Sequence, residues 1–285
     1  MKITLLGTGS PVPSLKRASA GYLVEAGRDT IVIDLGAGAF ARLMQAGKKA
    51  TDVTHVFFSH LHFDHCSDFI RLFHHRWDAS GDGTPPLQVY GPPGTQQFVD
   101  RLFGLEGAFG PDLASRTQHP LSTEIYRSRG GTPPRPWPDT AVTELAGPGA
   151  VEGDGWRIVR CEVPHFQPHL DSFGYRVESG GKVFAYTSDV NLALPAPPPA
   201  LVELARGADL LVHYLNAFAF EEKQRFAGPR FAGTVARDAG VKKLVTSHHG
   251  PFIDSDGVRE RVLAGIAAVY AGPVVWGEDL MQFEL

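Results

Sequence analysis

Apolar runs alternate with polar, glycine-rich and proline-rich segments along the whole chain, and this pattern predicts an α/β protein. Short apolar runs between turn residues predict strands at residues 2–6, 21–25, 30–34, 53–58, 87–90, 143–145, 156–164, 173–177, 183–187, 209–213, 243–246, 274–276 and 281–285. Longer segments with one apolar face predict helices at residues 39–47, 66–77, 95–105, 200–206, 229–239 and 256–271. The strand–helix–strand rhythm occurs twice, so we expect a pair of sheets.

Residues 106–150 interrupt this rhythm with many prolines and few periodic apolar positions. We therefore expect one domain over residues 1–285 with an irregular insertion or lid at about 106–150. Its Phe109, Tyr126 and Trp137 could line a pocket, and a plain surface excursion is the alternative.

The segment Thr54–Ser67 contains four candidate metal ligands directly after an apolar strand: His60, His62, Asp64 and His65. The i, i+2 spacing of the first two places both imidazoles on the same side of an extended backbone. A turn then brings the other two from a second direction. Imidazoles and carboxylates bind divalent transition metals, with Zn²⁺ foremost and Mn²⁺ or Fe as alternatives. Four adjacent ligands facing two ways exceed what one catalytic ion needs, which suggests two ions.

Further polar residues follow other predicted strands and are expected along the same sheet edge, where α/β folds keep their sites. These residues are His165, Asp189, His213 and His248, with His169 and His249 close by in the sequence. Asp34 also ends a predicted strand, and it is either a buried acceptor near the metals or a helix cap.

Composition narrows the class of protein. The chain has 285 residues, 43% hydrophobic and 20% charged, which is ordinary for a soluble protein. The net charge of −4 argues against a nucleic-acid partner, although it does not exclude a local basic groove.

No apolar run is long enough for a membrane span, and the N-terminus lacks a signal-peptide core, so we expect a cytoplasmic protein. Cys66 and Cys161 form no disulfide framework, and Cys66 is either a ligand or, by preference, a buried thiol.

The sequence HLHFDH resembles the HxHxDH signature of the metallo-β-lactamase superfamily. The resemblance implies a four-layer αββα sandwich, with two mixed sheets and helices outside. The amino-terminal half resembles that of the arylsulfatase-like and RNase Z-like branch. The resemblance lies in the segments LLGTGSPVP, YLVE and VIDLGAG and in Arg17. Because members of this fold often pair, the resemblance also suggests a homodimer.

The resemblance demands three more ligands in a fixed order. Asp189 in YTSDV resembles the aspartate that bridges the two ions. In VPHFQPHLDSFGYRV, the family pattern places the next histidine ten residues before Tyr175, which favours His165 and leaves His169 as a residue of the substrate-facing rim.

For the last ligand, the family pattern L-V-x-x-H favours His248 over His249. The implied site holds one ion with His60, His62 and His165, the other with Asp64, His65 and His248, and places Asp189 between them.

Three departures separate the chain from the tRNA-processing enzymes of that branch. The segment from Tyr175 to Asp189 is a bare hairpin where many members carry an arm that grips tRNA. Phe226 falls near the position of a histidine proposed as proton donor, and His213 replaces an acidic residue.

We therefore expect a dinuclear metallohydrolase whose metal-bound hydroxide cleaves an ester-type bond. The expected substrate is a small-molecule phosphodiester or sulfate ester, and Asp64 or Asp189 orients the nucleophile. The candidates for protonating the leaving group are His213, His169 and His249. The alternatives are an RNase Z-like tRNA 3′-processing endonuclease, a lactonase, and a metal-dependent binding module without turnover.

Overall fold

Two seven-stranded sheets form the centre of the protein, and the computed structural model describes them over residues 1–215, 227–255 and 257–285. The first sheet contains β1 (Lys2–Gly7), β2 (Gly21–Ala26), β3 (Asp29–Leu35), β4 (His55–Phe57), β5 (Leu87–Gly91), β6 (Thr140–Glu144) and β14 (Gln282–Glu284). The second contains β7 (Gly149–Gly153), β8 (Trp156–Glu162), β9 (Phe173–Ser179), β10 (Lys182–Tyr186), β11 (Leu210–Tyr214), β12 (Leu244–Ser247) and β13 (Val274–Trp276). The spatial orders are β14-β1-β2-β3-β4-β5-β6 and β13-β12-β11-β10-β9-β8-β7.

Each sheet is half parallel and half antiparallel. Strands β3 to β6 run parallel in the first sheet, and β10 to β13 run parallel in the second. The carboxyl ends of parallel strands meet at one edge of a sheet, so residues that follow β3, β4, β10 and β12 come together there.

Helices cover the outer face of each sheet, which confirms the predicted αββα sandwich. The first sheet carries α1 (Ala39–Gln45), α2 (Phe63–Cys66), α3 (Phe69–Ala79), α4 (Thr95–Phe103), α5 (Gly110–Gln118) and α6 (Pro120–Ser128) on its side of the protein. The second carries α7 (Pro199–Leu204), α8 (Ala227–Asp238) and α9 (Val258–Ala267). Every helix in the described part of the chain is too short or too polar to cross a membrane.

The central strands of both sheets are buried on both faces, which explains why they read as continuous apolar runs. Along β4 and the residue after it, Val56 and Phe58 pack under the helices, whereas Phe57 packs between the two sheets. The site therefore stands at the edge of a fully packed framework.

The segment 106–150 is more regular than expected, and the prediction of an irregular insertion was wrong in this respect. Two nine-residue helices, α5 and α6, occupy it before β6 adds to the sheet edge. Pro111 and Pro120 lie in the first turns of these helices, where proline costs no hydrogen bond. Helix α5 packs against α6 and α4 and, through His74 and Asp112, contacts α3. A lid role stays a prediction.

Candidate metal centre

The loop after β4 supplies the first ligands as the sequence predicts. The chain leaves the sheet at Phe58, and His60 and His62 turn their rings toward each other before α2 begins. His60 Nε2 and His62 Nδ1 lie 3.0 Å apart. At this distance, the two imidazole nitrogens could bind the same cation.

The loop after β8 brings a third histidine to the same place. His165 Nε2 lies 3.3 Å from His62 Nδ1. The three nitrogen atoms of His60, His62 and His165 fall within 4.8 Å of one another, so they could hold one metal ion. His169, the alternative on this loop, has an exposed side chain and lies outside the described metal groups.

A second group forms where α2 meets the end of β12. His248 Nε2 lies 3.1 Å from Asp64 Oδ2, and His65 Nε2 lies 3.4 Å from the same oxygen. These three atoms also fall within 4.8 Å of one another. His248 adopts a left-handed backbone with φ 63°, a strained conformation that aims its ring at the carboxylates.

Asp189, after β10, lies between the two groups. Its Oδ2 is 3.2 Å from His248 Nε2 and 3.8 Å from His165 Nε2, while its Oδ1 is 3.5 Å from His65 Nε2. The carboxylate therefore reaches two members of the second group and one of the first. Ser188, which precedes it, also has a positive φ of 55°.

Three buried atoms in this cluster have no hydrogen-bond partner: His65 Nε2, Asp189 Oδ1 and His248 Nδ1. The first two face each other at 3.5 Å. Buried polar atoms are almost always satisfied, so an orphaned imidazole nitrogen beside an orphaned carboxylate oxygen fits a cation between them.

The protonation states also suit a cation. Burial lowers the pKa of His60 well below its ordinary value and the pKa of His165 to about 4, so both rings are neutral donors at pH 7. Burial alone would raise the pKa of Asp64, but the hydrogen bond from His248 and the nearby charge of His65 lower it below the usual range. Burial likewise opposes ionisation of Asp189, and the nearby His248 and His65 charges outweigh it, so this pKa is also lowered.

The pKa of His65 is shifted in the opposite direction. Burial would lower it, but the carboxylates of Asp189 and Asp34 raise it well above the ordinary value. The carboxylates thus favour a positive charge next to His65 Nε2. A divalent ion bound there would supply that charge.

Asp34 is the buried acceptor rather than a helix cap. Its Oδ2 accepts from His65 Nδ1 at 2.8 Å and from Tyr186 OH at 3.0 Å. Ser59 donates to the same carboxylate through its backbone N–H and its hydroxyl, each at 2.7 Å. A hydrogen bond at Nδ1 fixes the ring so that Nε2 is the free donor atom. Sequence reasoning missed Ser59 and Tyr186, although Ser59 directly precedes His60.

A profile of the beta-lactamase superfamily domain matches residues 22–249, which includes every residue of the cluster. The chain belongs to the beta-lactamase superfamily. The superfamily fold implies a bound divalent metal, and the orphaned atoms and the donor types of this site fit one.

Relatives cover the whole chain. It is 32% identical over 296 aligned residues to a protein named ribonuclease Z from Mycobacterium bovis, with 100% of this chain and 98% of that protein covered. A ribonuclease Z of Mycobacterium marinum is 31% identical, with 100% and 99% covered.

Solved structures share the superfamily fold at lower identity. The metallo-beta-lactamase fold protein YhfI from Bacillus subtilis matches with a TM-score of 0.72 and 20% identity, covering 100% of this chain and 98% of that one. The short form of human tRNase Z matches with a TM-score of 0.67 and 21% identity, covering 100% and 99%.

His213 does not join the cluster, so its predicted catalytic role is not supported by its position. Its Nδ1 is 2.6 Å from the Tyr214 carbonyl, and its ring lies 6.0 Å from Phe231 of α8. Burial lowers its pKa to about 4. The neighbouring Tyr214, which sequence reasoning missed, instead lies 4.7 Å from the ring of His248.

His249 is also turned away from the ligands. Its ring stacks on Trp276 at 4.4 Å, and its Nε2 is 3.0 Å from Thr246 Oγ1. This packing explains why His248 alone of the pair reaches the carboxylates. Phe226, the residue predicted near a family proton donor, lies outside the described residues.

Cys66 is a buried thiol outside the described metal groups. Its Sγ lies 3.2 Å from the His62 carbonyl, and burial raises its pKa to about 12. A protonated thiol is a poor ligand, which agrees with the preferred structural role.

Proposed function

We propose that the protein is a dinuclear metal-dependent phosphodiesterase that cleaves RNA in the manner of ribonuclease Z. The observation that carries the proposal is the convergence of two groups of three ligands on one shared carboxylate. The full-length relatives named ribonuclease Z support RNA, with the 3′ end of precursor tRNA, as the substrate class.

Seven side chains would hold the ions. One ion would bind His60, His62 and His165, the other Asp64, His65 and His248, with Asp189 between them. Imidazole and carboxylate donors suit zinc, with manganese or iron as alternatives. When bound, two such ions would supply Lewis acidity, which would lower the pKa of a water nucleophile and neutralise charge on the phosphoryl oxygens.

The chain's own groups would orient the attacking water. Asp64 and Asp189 stay ionised because of their lowered pKa values, so either carboxylate can orient that water by accepting a hydrogen bond from it. Of the three histidines considered for protonating the leaving group, His213 and His249 are buried away from the cluster. His169 is the exposed one, on the loop that carries His165, and we retain it for this role.

A small-molecule phosphodiester is the second candidate substrate. Strands β9 and β10 are joined by the two-residue turn Gly180-Gly181, with Ser179 paired to Lys182. Such a tight turn leaves no arm to grip a tRNA at this place, and the net charge of −4 adds no general attraction for nucleic acid.

The test is cleavage of a precursor tRNA with a 3′ trailer by protein loaded with Zn²⁺ or Mn²⁺. We expect a cut at the end of the mature tRNA, and we expect Asp64→Ala to abolish it. Asp154→Ala is the matched control, because Asp154 is an exposed carboxylate paired with Arg28 and should leave cleavage unchanged.

Parallel assays with bis(p-nitrophenyl) phosphate and an aryl sulfate separate the alternatives. Metal-dependent hydrolysis of the diester without tRNA cleavage would favour the small-molecule substrate. If the loaded protein cleaves neither RNA nor either chromogenic ester, both candidate functions are wrong.

A further inference from the structure

Two exposed phenylalanines adjoin the candidate metal centre. Phe63 is 63% exposed and Phe166 is 59% exposed. Phe63 follows His62 in the sequence and Phe166 follows His165, and the nitrogens of these two histidines lie 3.3 Å apart. The other exposed large hydrophobic residues in the described part of the chain are aliphatic: Val12, Leu15, Met44, Leu105, Leu121 and Ile125.

The ring of Phe166 makes edge-to-face contacts with the rings of two candidate ligands, His62 and His165. Its centroid lies 5.3 Å from the His62 ring and 4.6 Å from the His165 ring, with interplanar angles of 69° and 79°. The ring is therefore nearly perpendicular to both imidazoles, and more than half of its surface faces solvent at the edge of the cluster.

Hydrogen bonds hold this loop in place. Gln167 Oε1 accepts from the His165 backbone N–H at 2.7 Å, and Gln167 Nε2 donates to the Val163 carbonyl at 3.0 Å. The His169 backbone N–H donates to the Phe166 carbonyl at 3.1 Å. An aromatic ring on such a fixed loop loses little conformational freedom when it binds a partner.

The backbone of Phe63 is fixed as well. It begins α2, and its carbonyl accepts from the Ser67 backbone N–H at 2.9 Å. Its exposed ring thus projects from a rigid element between the ligands His62 and Asp64.

We propose that Phe63 and Phe166 are specificity-determining residues that stack on a nucleobase next to the scissile phosphodiester. The inference rests on the proposed phosphodiesterase activity, and it names a nucleotide as the group recognised at the site. Every base offers a flat π face, so aromatic stacking binds nucleotides with little regard to sequence. An aliphatic diester offers no such face and should be a poorer substrate.

The test compares two diesters with the same leaving group: thymidine 5′-(p-nitrophenyl phosphate) and methyl p-nitrophenyl phosphate. For the zinc-loaded wild type, we expect a higher kcat/KM with the nucleotide. Phe166→Ala and Phe63→Ala should each lower the ratio of the two kcat/KM values about tenfold. Phe166→Trp should retain the ratio, because tryptophan keeps a stacking face.

Two controls accompany these variants. Leu121→Ala removes an exposed apolar side chain from α6 and should leave both rates unchanged. Metal content is measured for every variant, because both phenylalanines adjoin candidate ligands. If Phe166→Ala loses metal, Phe166→Leu tests the same point, since it keeps the bulk and removes the π face.

Equal kcat/KM values for the two diesters in the wild type would overturn the inference and leave the phosphodiesterase proposal standing. An unchanged ratio in fully loaded variants of both phenylalanines would also overturn it. Failure of the loaded wild type to hydrolyse the nucleotide diester would likewise overturn the inference, and if the protein also fails to cleave precursor tRNA, the phosphodiesterase proposal is contradicted with it.

Discussion

At the residue scale, Asp34 is the side chain on which the geometry of the cluster depends most. It is fully buried, has a positive φ of 56°, and accepts hydrogen bonds from His65, Ser59 and Tyr186. Through His65 it fixes which ring nitrogen faces the candidate metal site, and through Ser59 it supports the neighbouring His60, whose Nδ1 lies 3.0 Å from the Ser59 hydroxyl.

We predict that Asp34→Asn weakens metal binding about 10- to 100-fold, because an amide holds the His65 ring less firmly and makes it a weaker ligand. Competition with a chromogenic chelator measures the change. Asp279→Asn is the matched control. The side chain of Asp279 is also largely buried, but it accepts hydrogen bonds from the backbone N–H groups of Thr8 and Ala18 and from no candidate metal ligand. Equal metal affinity in Asp34→Asn and the wild type would show that Asp34 only stabilises the fold.

The sequence predicted the positions of individual residues where their spacing alone determines them. His60, His62, Asp64 and His65 lie within six residues, so they stay close together whatever the surrounding fold. His213 lies at a strand end too, but strand alternation puts it with Leu211 on the helix-facing side. The sequence left Asp34 open between a buried acceptor and a helix cap, because the choice depends on β3 pairing with β4, where Ile33 lies opposite Phe57.

At the scale of elements, the position of residues 60–65 depends on a close approach between the end of β3 and the start of α2. Gly36 lies at this crossing, and a Cβ there would stand 1.8 Å from the carbonyl oxygen of Asp64 and 2.6 Å from the side chain of Ser19. Only glycine lets the two backbones pass without moving the ligands.

We predict that Gly36→Ala lowers the free energy of unfolding by about 1–3 kcal/mol and weakens metal binding, because the added methyl displaces the backbone of Asp64. Urea denaturation and metal titration measure the two effects. Gly265→Ala in α9 is the control: its nearest neighbour is the Pro229 side chain at 3.1 Å, far from any ligand, so metal affinity should be unchanged. Full metal affinity in Gly36→Ala would refute the role given to this crossing.

Strands were predictable from the sequence where both of their faces are buried. Strands buried on both faces give continuous apolar runs, so residues 2–6 and 53–58 pointed to β1 and β4. Helices α5 and α6 were missed because their prolines resemble loop signals, although Pro111 and Pro120 occupy first turns. The side chain of Arg135, which lies 3.7 Å over the Trp77 ring, then ties the following segment to α3, a tertiary contact that no local pattern reveals.

At the scale of the whole molecule, the site exists because two sheets bring their strand ends to one edge. The first sheet supplies the loop after β4, and the second supplies His165, Asp189 and His248 after β8, β10 and β12. The order of these ligands was predictable from the family resemblance, whereas the net charge of −4 says nothing about charge at the site itself. Substrate choice depends on the rim, which the sequence pattern did not define.

The central claim is a two-ion centre shared through Asp189, and anomalous X-ray scattering at the zinc edge from crystals of zinc-loaded protein tests it most directly. We predict two peaks about 3.5–4 Å apart, one beside the nitrogens of His60, His62 and His165 and the other beside Asp64, His65 and His248. A single peak, or peaks that leave Asp189 without contact to both ions, would contradict the account.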